Sequence, residues 1–191
     1  MTIQAIIGLR NPGTQYHNTR HNAGAWFVEA LANSLGAQFS QERSFYAEIA
    51  TAHIGKHPCK LVLPNTYMNE SGLAVRAVSH FYRIPPESIL VAHDDLDVLP
   101  GRILLKTDGG AGGHNGLRHI IQNLGSAHFH RLRVGIGHPG DKDKVLSFVL
   151  NKPSMAEHTL IERAVQNALD IIPLLFEKGV PAAMNQLNVN R

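Results

Sequence analysis

The segment SILVAHD, residues 88–94, is an apolar run that leads into an acidic loop, and it predicts a buried strand. The segment IQAIIGL, residues 3–9, predicts a second short buried strand that ends in the turn NPG. Outward from these two strands, extended and helical patterns alternate along the chain with no linker and no repeat. This alternation predicts a single three-layer α/β domain over residues 1–191.

The other predicted elements follow from periodicity and turn residues. Asn22 is expected to cap the first helix, and Pro173 is expected to kink or divide the last one. The predicted elements are a helix over 22–35 closed by Gly36, a hairpin of 45–54 and 59–64, a helix over 70–82, a strand over 101–107, a helix over 116–124, a strand over 130–137 and an amphipathic helix over 154–176.

The composition is that of an ordinary soluble globular protein, with 43% hydrophobic and 17% charged residues. The first residues lack the basic start and the cleavage site of a secretory signal, and no apolar run is long enough for a membrane span. Cys59 is the one cysteine, which excludes an internal disulfide and indicates a reducing cytoplasm. We expect Cys59 to be structural, because it lies in a strand pattern with no obvious base beside it.

The net charge of +3 is unevenly distributed. Residues 102–152 contain eight Lys/Arg and three acids, which gives this segment +5 and leaves −2 for the rest of the chain. A basic segment on a near-neutral body indicates a polyanionic partner such as nucleic acid. An ordinary solvated surface would have the same composition, so charge alone leaves both interpretations open.

Polar side chains of the kinds that take part in catalysis occur in the loops that follow the predicted strands, where α/β folds place their sites. The loops RNPG, NTYMNESG, HDDLD and GGAGGHNG provide Asn11, Asn69, Asp94 and Asn115, and His21 lies at the start of the first helix. One histidine, one carboxylate and three carboxamides suit the addition of water to a carbonyl. The histidine accepts a proton from water, the carboxylate orients the imidazole, and amide N–H groups hold the carbonyl and the developing oxyanion.

Each of these features has a simpler interpretation when taken alone. A histidine at a helix start is often structural, and Asn69 could cap the helix that follows it. The acids Asp94, Asp95 and Asp97 could bind a metal or could form a solvated loop, but HEXXH and paired His/Cys spacings are absent. The glycine loop lacks the nucleotide-binding patterns, although its five glycines in residues 107–116 permit close approach of a substrate.

Five segments together, GLRNPGTQYHNTRHNAG, NTYMNESG, VAHDDLD, GGAGGHNGL and FHRLRVGIGHPG, resemble the successive signature segments of bacterial peptidyl-tRNA hydrolases. The resemblance runs in order from residue 3 to about residue 150. It implies hydrolysis of the ester that joins a peptide to the 3′ end of tRNA, releasing free tRNA. It also implies a monomeric, cytoplasmic α/β protein with a mixed sheet that uses neither a cofactor nor a metal.

The resemblance assigns roles to the loop residues, position by position. The family's catalytic histidine corresponds to His21, and its carboxylate partner corresponds to Asp94. Asn11 and Asn69 correspond to the asparagines that hold the substrate, and Asn115 corresponds to the one that positions the water or the oxyanion.

A second group of residues is implied to bind the substrate. Lys106 and Arg133 correspond to basic residues that grip a tRNA phosphate. Tyr16, Met68 and His114 correspond to residues that line the cleft.

The chain departs from the family pattern at three positions. Arg10 replaces a small residue beside Asn11, where it is expected to alter the turn geometry or the peptide preference. Asn65 replaces a common threonine, which is a smaller change. Leu104 replaces a second basic residue, so a weaker phosphate clamp is expected.

For His21, the helix N-terminus and the carboxylate are expected to act in opposite directions. A helix N-terminus disfavours the imidazolium, whereas Asp94 favours it, so we expect a base with a pKa near neutrality. Two other functions fit parts of the sequence: a non-catalytic RNA-binding module, and a metal-dependent hydrolase built on His21 and the acids of DDLD. The complete set of histidine, carboxylate and asparagines favours the metal-free hydrolase.

Overall fold

Seven strands of the described chain, residues 1–189 of the computed structural model, form one mixed sheet. The strands are β1 (Ala5–Gly8), β2 (Ser40–Glu42), β3 (Ala47–Ile54), β4 (His57–Pro64), β5 (Ile89–Asp95), β6 (Ile103–Thr107) and β7 (His130–Gly135). Their order across the sheet is β2-β3-β4-β1-β5-β7-β6. The four central strands β4, β1, β5 and β7 are parallel, and antiparallel strands continue the sheet on both sides.

Helices cover both faces of this sheet. The α-helices of the described residues are α1 (Ala23–Ser34), α2 (Ser71–Tyr82), α3 (Asn115–Leu124), α4 (Val145–Val149), α5 (Met155–Lys178) and α6 (Val180–Leu187). One face packs against α1, α4, α5 and α6, and the other face packs against α2 and α3. The predicted three-layer α/β architecture, with a mixed sheet flanked by helices, is confirmed.

Strand β1 is apolar along its whole length because both of its faces are covered. In β1, Ile6 packs into the core beneath α1 and α5, whereas Ile7 packs into the core beneath α2 and α3. Both side chains are fully buried. Successive residues of a strand point to opposite faces, so a strand between two helical layers requires a continuous apolar run rather than an alternating one.

A close approach of α1 to β5 brings the turn before α1 next to the carboxyl end of β5. A Cβ atom on Gly24 would lie 2.1 Å from the carbonyl oxygen of Ala92, so only glycine permits this contact. The chain enters α1 through a 3-10 turn, Arg20–Asn22. This turn therefore lies beside the carboxyl end of β5, where Asp94 is located.

The long helix α5 begins with a capping box, in which Ser154 and Glu157 bond reciprocally to each other's backbone N–H. The helix then continues through Pro173 to Lys178. The expectation that Pro173 divides this helix is therefore wrong. Pro173 is exposed, while Ile172 and the next turn are buried against the sheet, and this packing holds the helix together across the missing hydrogen bond.

The chain after α6 closes one edge of the sheet. The side chain of Asn188 accepts a hydrogen bond from the N–H of Leu105 (2.8 Å) and donates one to its carbonyl (2.9 Å). Leu105 lies in the edge strand β6, so a side-chain amide occupies the place of a further strand. In the described residues, no helix has both the length and the apolar composition needed to cross a bilayer.

Candidate active site

The structure brings His21 and Asp94 into direct contact. Nδ1 of His21 lies 2.9 Å from Oδ2 and 3.0 Å from Oδ1 of Asp94. Asp94 is almost completely buried, with 3% of its side chain exposed, and His21 retains 13%. A carboxylate accepts hydrogen bonds, so Nδ1 carries the proton and Nε2 is the basic nitrogen. Nε2 has no hydrogen-bond partner among residues 1–189.

The contact has opposite effects on the pKa values of its two groups. Burial is the largest influence on His21 and lowers its pKa, but the charge and the hydrogen bond of Asp94 together raise the pKa above its ordinary value of 6.5. Burial raises the pKa of Asp94, but its interactions with His21 and His114 outweigh burial and bring that pKa well below its usual range. Asp94 is therefore an anion, and it favours the protonated form of His21 more strongly than burial opposes it.

His114 contacts Asp94 from the start of α3. Its Nε2 lies 2.8 Å from Oδ1 of Asp94. Its Nδ1 accepts the backbone N–H groups of Gly116 (3.1 Å) and Leu117 (3.3 Å) and so caps α3. The resemblance implied only a cleft-lining role for His114. The structure shows that it is also a second hydrogen-bond donor to the carboxylate.

Three hydrogen bonds, two with Asn22 and one with Met68, hold Asn11 in place. Asn22 forms two hydrogen bonds with its backbone, accepting from its N–H (2.9 Å) and donating to its carbonyl (2.9 Å). The backbone N–H of Met68 donates to Oδ1 of Asn11 at 2.7 Å, which leaves the amide Nδ2 of Asn11 available. The expectation that the Asn22 side chain caps α1 is wrong, because its amide oxygen and nitrogen bond the backbone of Asn11 and make no hydrogen bond to the first turn of α1.

Asn69 and Asn115 are both exposed, and each directly follows a residue that contacts the site. Asn69 follows Met68 in the 3-10 turn before α2. Asn115 is the first residue of α3, directly after His114, and its Oδ1 accepts a hydrogen bond from Arg118 (3.1 Å). Neither asparagine has a direct hydrogen bond to His21.

An aromatic pair lies next to the Asn11 and Met68 segments. The rings of Tyr16 and Tyr67 pack edge to face, with centroids 6.3 Å apart, and Tyr67 is more than half exposed. Tyr16 was predicted to line the cleft, whereas no role was predicted for Tyr67. The signal that could have identified Tyr67 is its position directly before Met68 and Asn69 in NTYMNESG.

The two predicted phosphate-binding residues differ in their surroundings. Lys106 is exposed on the edge strand β6. Arg133 lies on the neighbouring strand β7 and donates through Nε to Asp95 at 2.7 Å, so it is already paired with an acid. Arg131 was not predicted to take part in the site. Its buried guanidinium donates to the carbonyls of Asp108 and Gly109 and fixes the loop after Lys106.

The two departures from the family pattern near Asn11 contact each other. Arg10 donates to the carbonyl of Pro64 (2.9 Å), to Glu48 (2.5 Å) and to Oδ1 of Asn65 (2.6 Å). The guanidinium therefore links the loop after β1 to the ends of β3 and β4. These bonds satisfy the charge of Arg10. Arg10, Glu48 and Asn65 together form one wall of a cleft of about 650 Å³ beside Asn11.

Of the acids of DDLD, Asp94 contacts His21, whereas Asp95 and Asp97 are engaged elsewhere, which does not match the cluster of acids around His21 that the metal-dependent alternative requires. Asp95 pairs with Arg133, and its Oδ1 accepts the backbone N–H of Asp97 at 2.9 Å. Among residues 1–189, the one group with metal-ligand spacing is His21, Asp94 and His114. Protons on the two histidine nitrogens account for the distances of 2.8–3.0 Å to Asp94.

Comparison with known proteins places the chain in a family. The family model described as peptidyl-tRNA hydrolase matches residues 5–191. The chain is 52% identical to a Legionella pneumophila peptidyl-tRNA hydrolase, over 98% of this chain and all of the relative, and 53% identical to that of Edwardsiella ictaluri, over 98% and 96%. The crystal structure of the Acinetobacter baumannii peptidyl-tRNA hydrolase superimposes with a TM-score of 0.95 at 50% identity and covers 98% of this chain and 95% of that one. The chain therefore belongs to the peptidyl-tRNA hydrolase family of enzymes.

Proposed function

We propose that this protein hydrolyses the ester bond between a peptide and the 3′ end of tRNA, with His21 as the general base. The observation that carries the proposal is the buried contact between Nδ1 of His21 and the Asp94 carboxylate. This contact fixes the imidazole in the tautomer whose Nε2 can accept a proton. A neutral imidazole oriented by a buried carboxylate is a recurrent general base in acyl-transfer enzymes.

In this mechanism, Nε2 of His21 removes a proton from a water molecule as the water oxygen bonds to the ester carbonyl carbon. The carbonyl electrons move to oxygen and form a tetrahedral oxyanion. When the oxyanion collapses, the bond to the tRNA 3′ oxygen breaks, and the imidazolium returns its proton to this leaving group. Asp94 stabilises the imidazolium between the two steps without taking the proton itself.

The three asparagines are proposed to hold the substrate around this reaction. The free Nδ2 of Asn11 is a fixed N–H donor, because three hydrogen bonds immobilise its loop. Preorganised amide donors of this kind stabilise charge that develops on a carbonyl oxygen. Asn69 and Asn115 have exposed amides directly after Met68 and His114. We assign Asn69 to holding the substrate and Asn115 to positioning the water or the oxyanion.

The tRNA portion is proposed to bind on the β6 side of the site. Lys106 is exposed there, and Arg131 fixes the loop that follows it. Arg133 is paired with Asp95, so we expect Lys106 to contribute more than Arg133 to phosphate binding. Phosphate contacts position a nucleic acid without reading its sequence, which suits an enzyme that must accept many tRNAs.

The direct test is hydrolysis of N-acetyl-aminoacyl-tRNA by the purified protein. His21→Ala should reduce turnover by about 10²–10⁴-fold, the usual contribution of a general base, while tRNA binding is largely retained. His17→Ala is a matched control, because His17 lies in the same segment but is exposed and does not contact Asp94. Activity of His21→Ala within a few-fold of wild type would remove His21 from the mechanism. Full tRNA binding without turnover by the wild type would favour the non-catalytic RNA-binding module.

A further inference from the structure

The protonation state of His114 is determined by its contacts with the backbone. Its Nδ1 accepts two N–H groups, those of Gly116 and Leu117, at the first turn of α3. A nitrogen that accepts these bonds cannot carry a proton, so the ring proton of His114 lies on Nε2. Nε2 is the atom that faces Asp94, at 2.8 Å. His114 is thus a neutral histidine in a fixed tautomer, and its N–H donates to the carboxylate.

His93 adds a second neutral histidine behind this contact. It is buried, its ring centroid lies 5.2 Å from that of His114 and its Nδ1 donates to the backbone carbonyl of Asp94 at 2.8 Å. Its Nε2 has no partner among the described residues. Burial is the largest influence on His93 and lowers its pKa to about 4, so His93 adds no positive charge beside the carboxylate at neutral pH.

We infer that His114 is a positioning residue: the first turn of α3 locks it as the Nε2–H tautomer, and in that form it holds Asp94 as a dedicated acceptor that aims Nδ1–H of His21. The groups that face Asp94 are His21 from the turn before α1, His114 from the start of α3 and His93 from its own strand. The neighbouring acid, Asp95, is paired with Arg133. The negative charge of Asp94 is therefore balanced by His21 alone when that imidazole takes up a proton.

The inference, which rests on the proposed function, predicts the effect of removing the second donor. His114→Asn keeps a good helix cap, but its side chain is too short to join the α3 turn to Asp94. A lost hydrogen bond to a charged group should lower kcat about tenfold to a hundredfold. Because Asp94 then interacts with His21 alone, the pKa of His21 should rise, and the acidic limb of the rate profile should move to higher pH.

Two further variants separate positioning from helix capping. His114→Gln places an amide N–H near the position of Nε2 and should recover part of both the rate and the pH profile. His119→Ala is the matched control, because His119 also lies on α3 and accepts a backbone N–H, that of Gly72 at 3.0 Å, but does not contact Asp94. His119→Ala should leave the acidic limb in place even if it lowers the melting temperature.

The deciding experiment combines pH–rate profiles with NMR titration of the His21 and His114 imidazole nitrogens in wild type, His114→Asn, His114→Gln and His119→Ala. The NMR signals should show His114 protonated on Nε2 and not on Nδ1 throughout the neutral range, and a higher pKa for His21 in His114→Asn. An unchanged His21 pKa in His114→Asn, with kcat within about twofold of wild type, would reduce His114 to a helix cap. Because the titration needs no turnover, a wild-type protein that fails to hydrolyse the ester would refute the proposed function while the NMR data still decide the inference.

Discussion

Replacing Asp94 by Asn removes one charge without changing the size of the side chain, and the structure determines how the new amide must lie. Two N–H groups face the carboxylate at 2.8–3.0 Å, from His21 and from His114. His114 cannot exchange its tautomer, because its Nδ1 accepts two backbone N–H groups. The amide oxygen should therefore turn to His114 and the amide N–H₂ to Nδ1 of His21.

This orientation makes His21 an acceptor at Nδ1 and moves its proton to Nε2, the nitrogen needed as the base. A wrong-tautomer histidine in an Asp–His pair costs about 10⁴-fold in kcat, equivalent to about 5.4 kcal/mol. The shift of the His21 pKa from its ordinary value should also reverse its direction. Without Asp94 only burial remains, and burial lowers the pKa, so the acidic limb should move to lower pH.

The assay is single-turnover hydrolysis of N-acetyl-aminoacyl-tRNA across the neutral pH range, with Asp94→Asn, His21→Ala and the double variant. We expect a large loss of kcat with little change in KM, and the double variant should be scarcely slower than His21→Ala alone. Asp97→Asn is the control, because Asp97 is an exposed acid of the same loop. If the two losses add fully, Asp94 acts independently of His21, and the tautomer argument is wrong.

Two other predictions concern the tRNA surface and the packing of α1. Lys106→Ala should make the slope of log affinity against log salt less steep by about one unit, because one phosphate contact is lost. Lys56→Ala, in the distant hairpin turn, is the control and should leave the slope unchanged. Equal slopes in both variants would show that Lys106 makes no phosphate contact. Gly24→Ala should destabilise the fold by about 1–3 kcal/mol in chemical denaturation and lower kcat, because its Cβ would lie 2.1 Å from the Ala92 carbonyl oxygen and α1 must move away from β5. Gly110→Ala, which meets no atom within 4 Å, is the control, and equal stability of the two variants would contradict the packing argument.

The sequence was most informative where one physical requirement dominated. The run ILVA in β5 predicted a buried strand because the strand is covered on both faces. His21 and Asp94 could be paired because strand ends and helix starts meet at one edge of an α/β sheet, and the structure confirms their contact. The roles of the catalytic residues stay predictions for the experiments above.

The sequence was least informative where one residue type serves several purposes. Asn22 before a helix fits a cap, but its amide instead holds the Asn11 backbone, which lies 11 residues away. Arg133 fits a phosphate ligand, but its partner Asp95 lies 38 residues earlier on an adjacent strand. Such pairings depend on strand order, which a single sequence does not reveal. Local signals were also too weak for β2, an element of three residues whose side chains are mostly exposed.

The amide of Asn188 has a consequence for how this protein behaves at high concentration. An uncovered edge strand is a template for strand addition by another chain, and proteins that leave one open risk aggregation. On β6 the template is blocked at Leu105, where both backbone groups are already bonded to a side chain from beyond α6. The opposite edge, β2, is only three polar residues long, Ser40–Glu42. Loss of the Asn188 amide would therefore leave both backbone groups of Leu105 on β6 open to pairing with another chain.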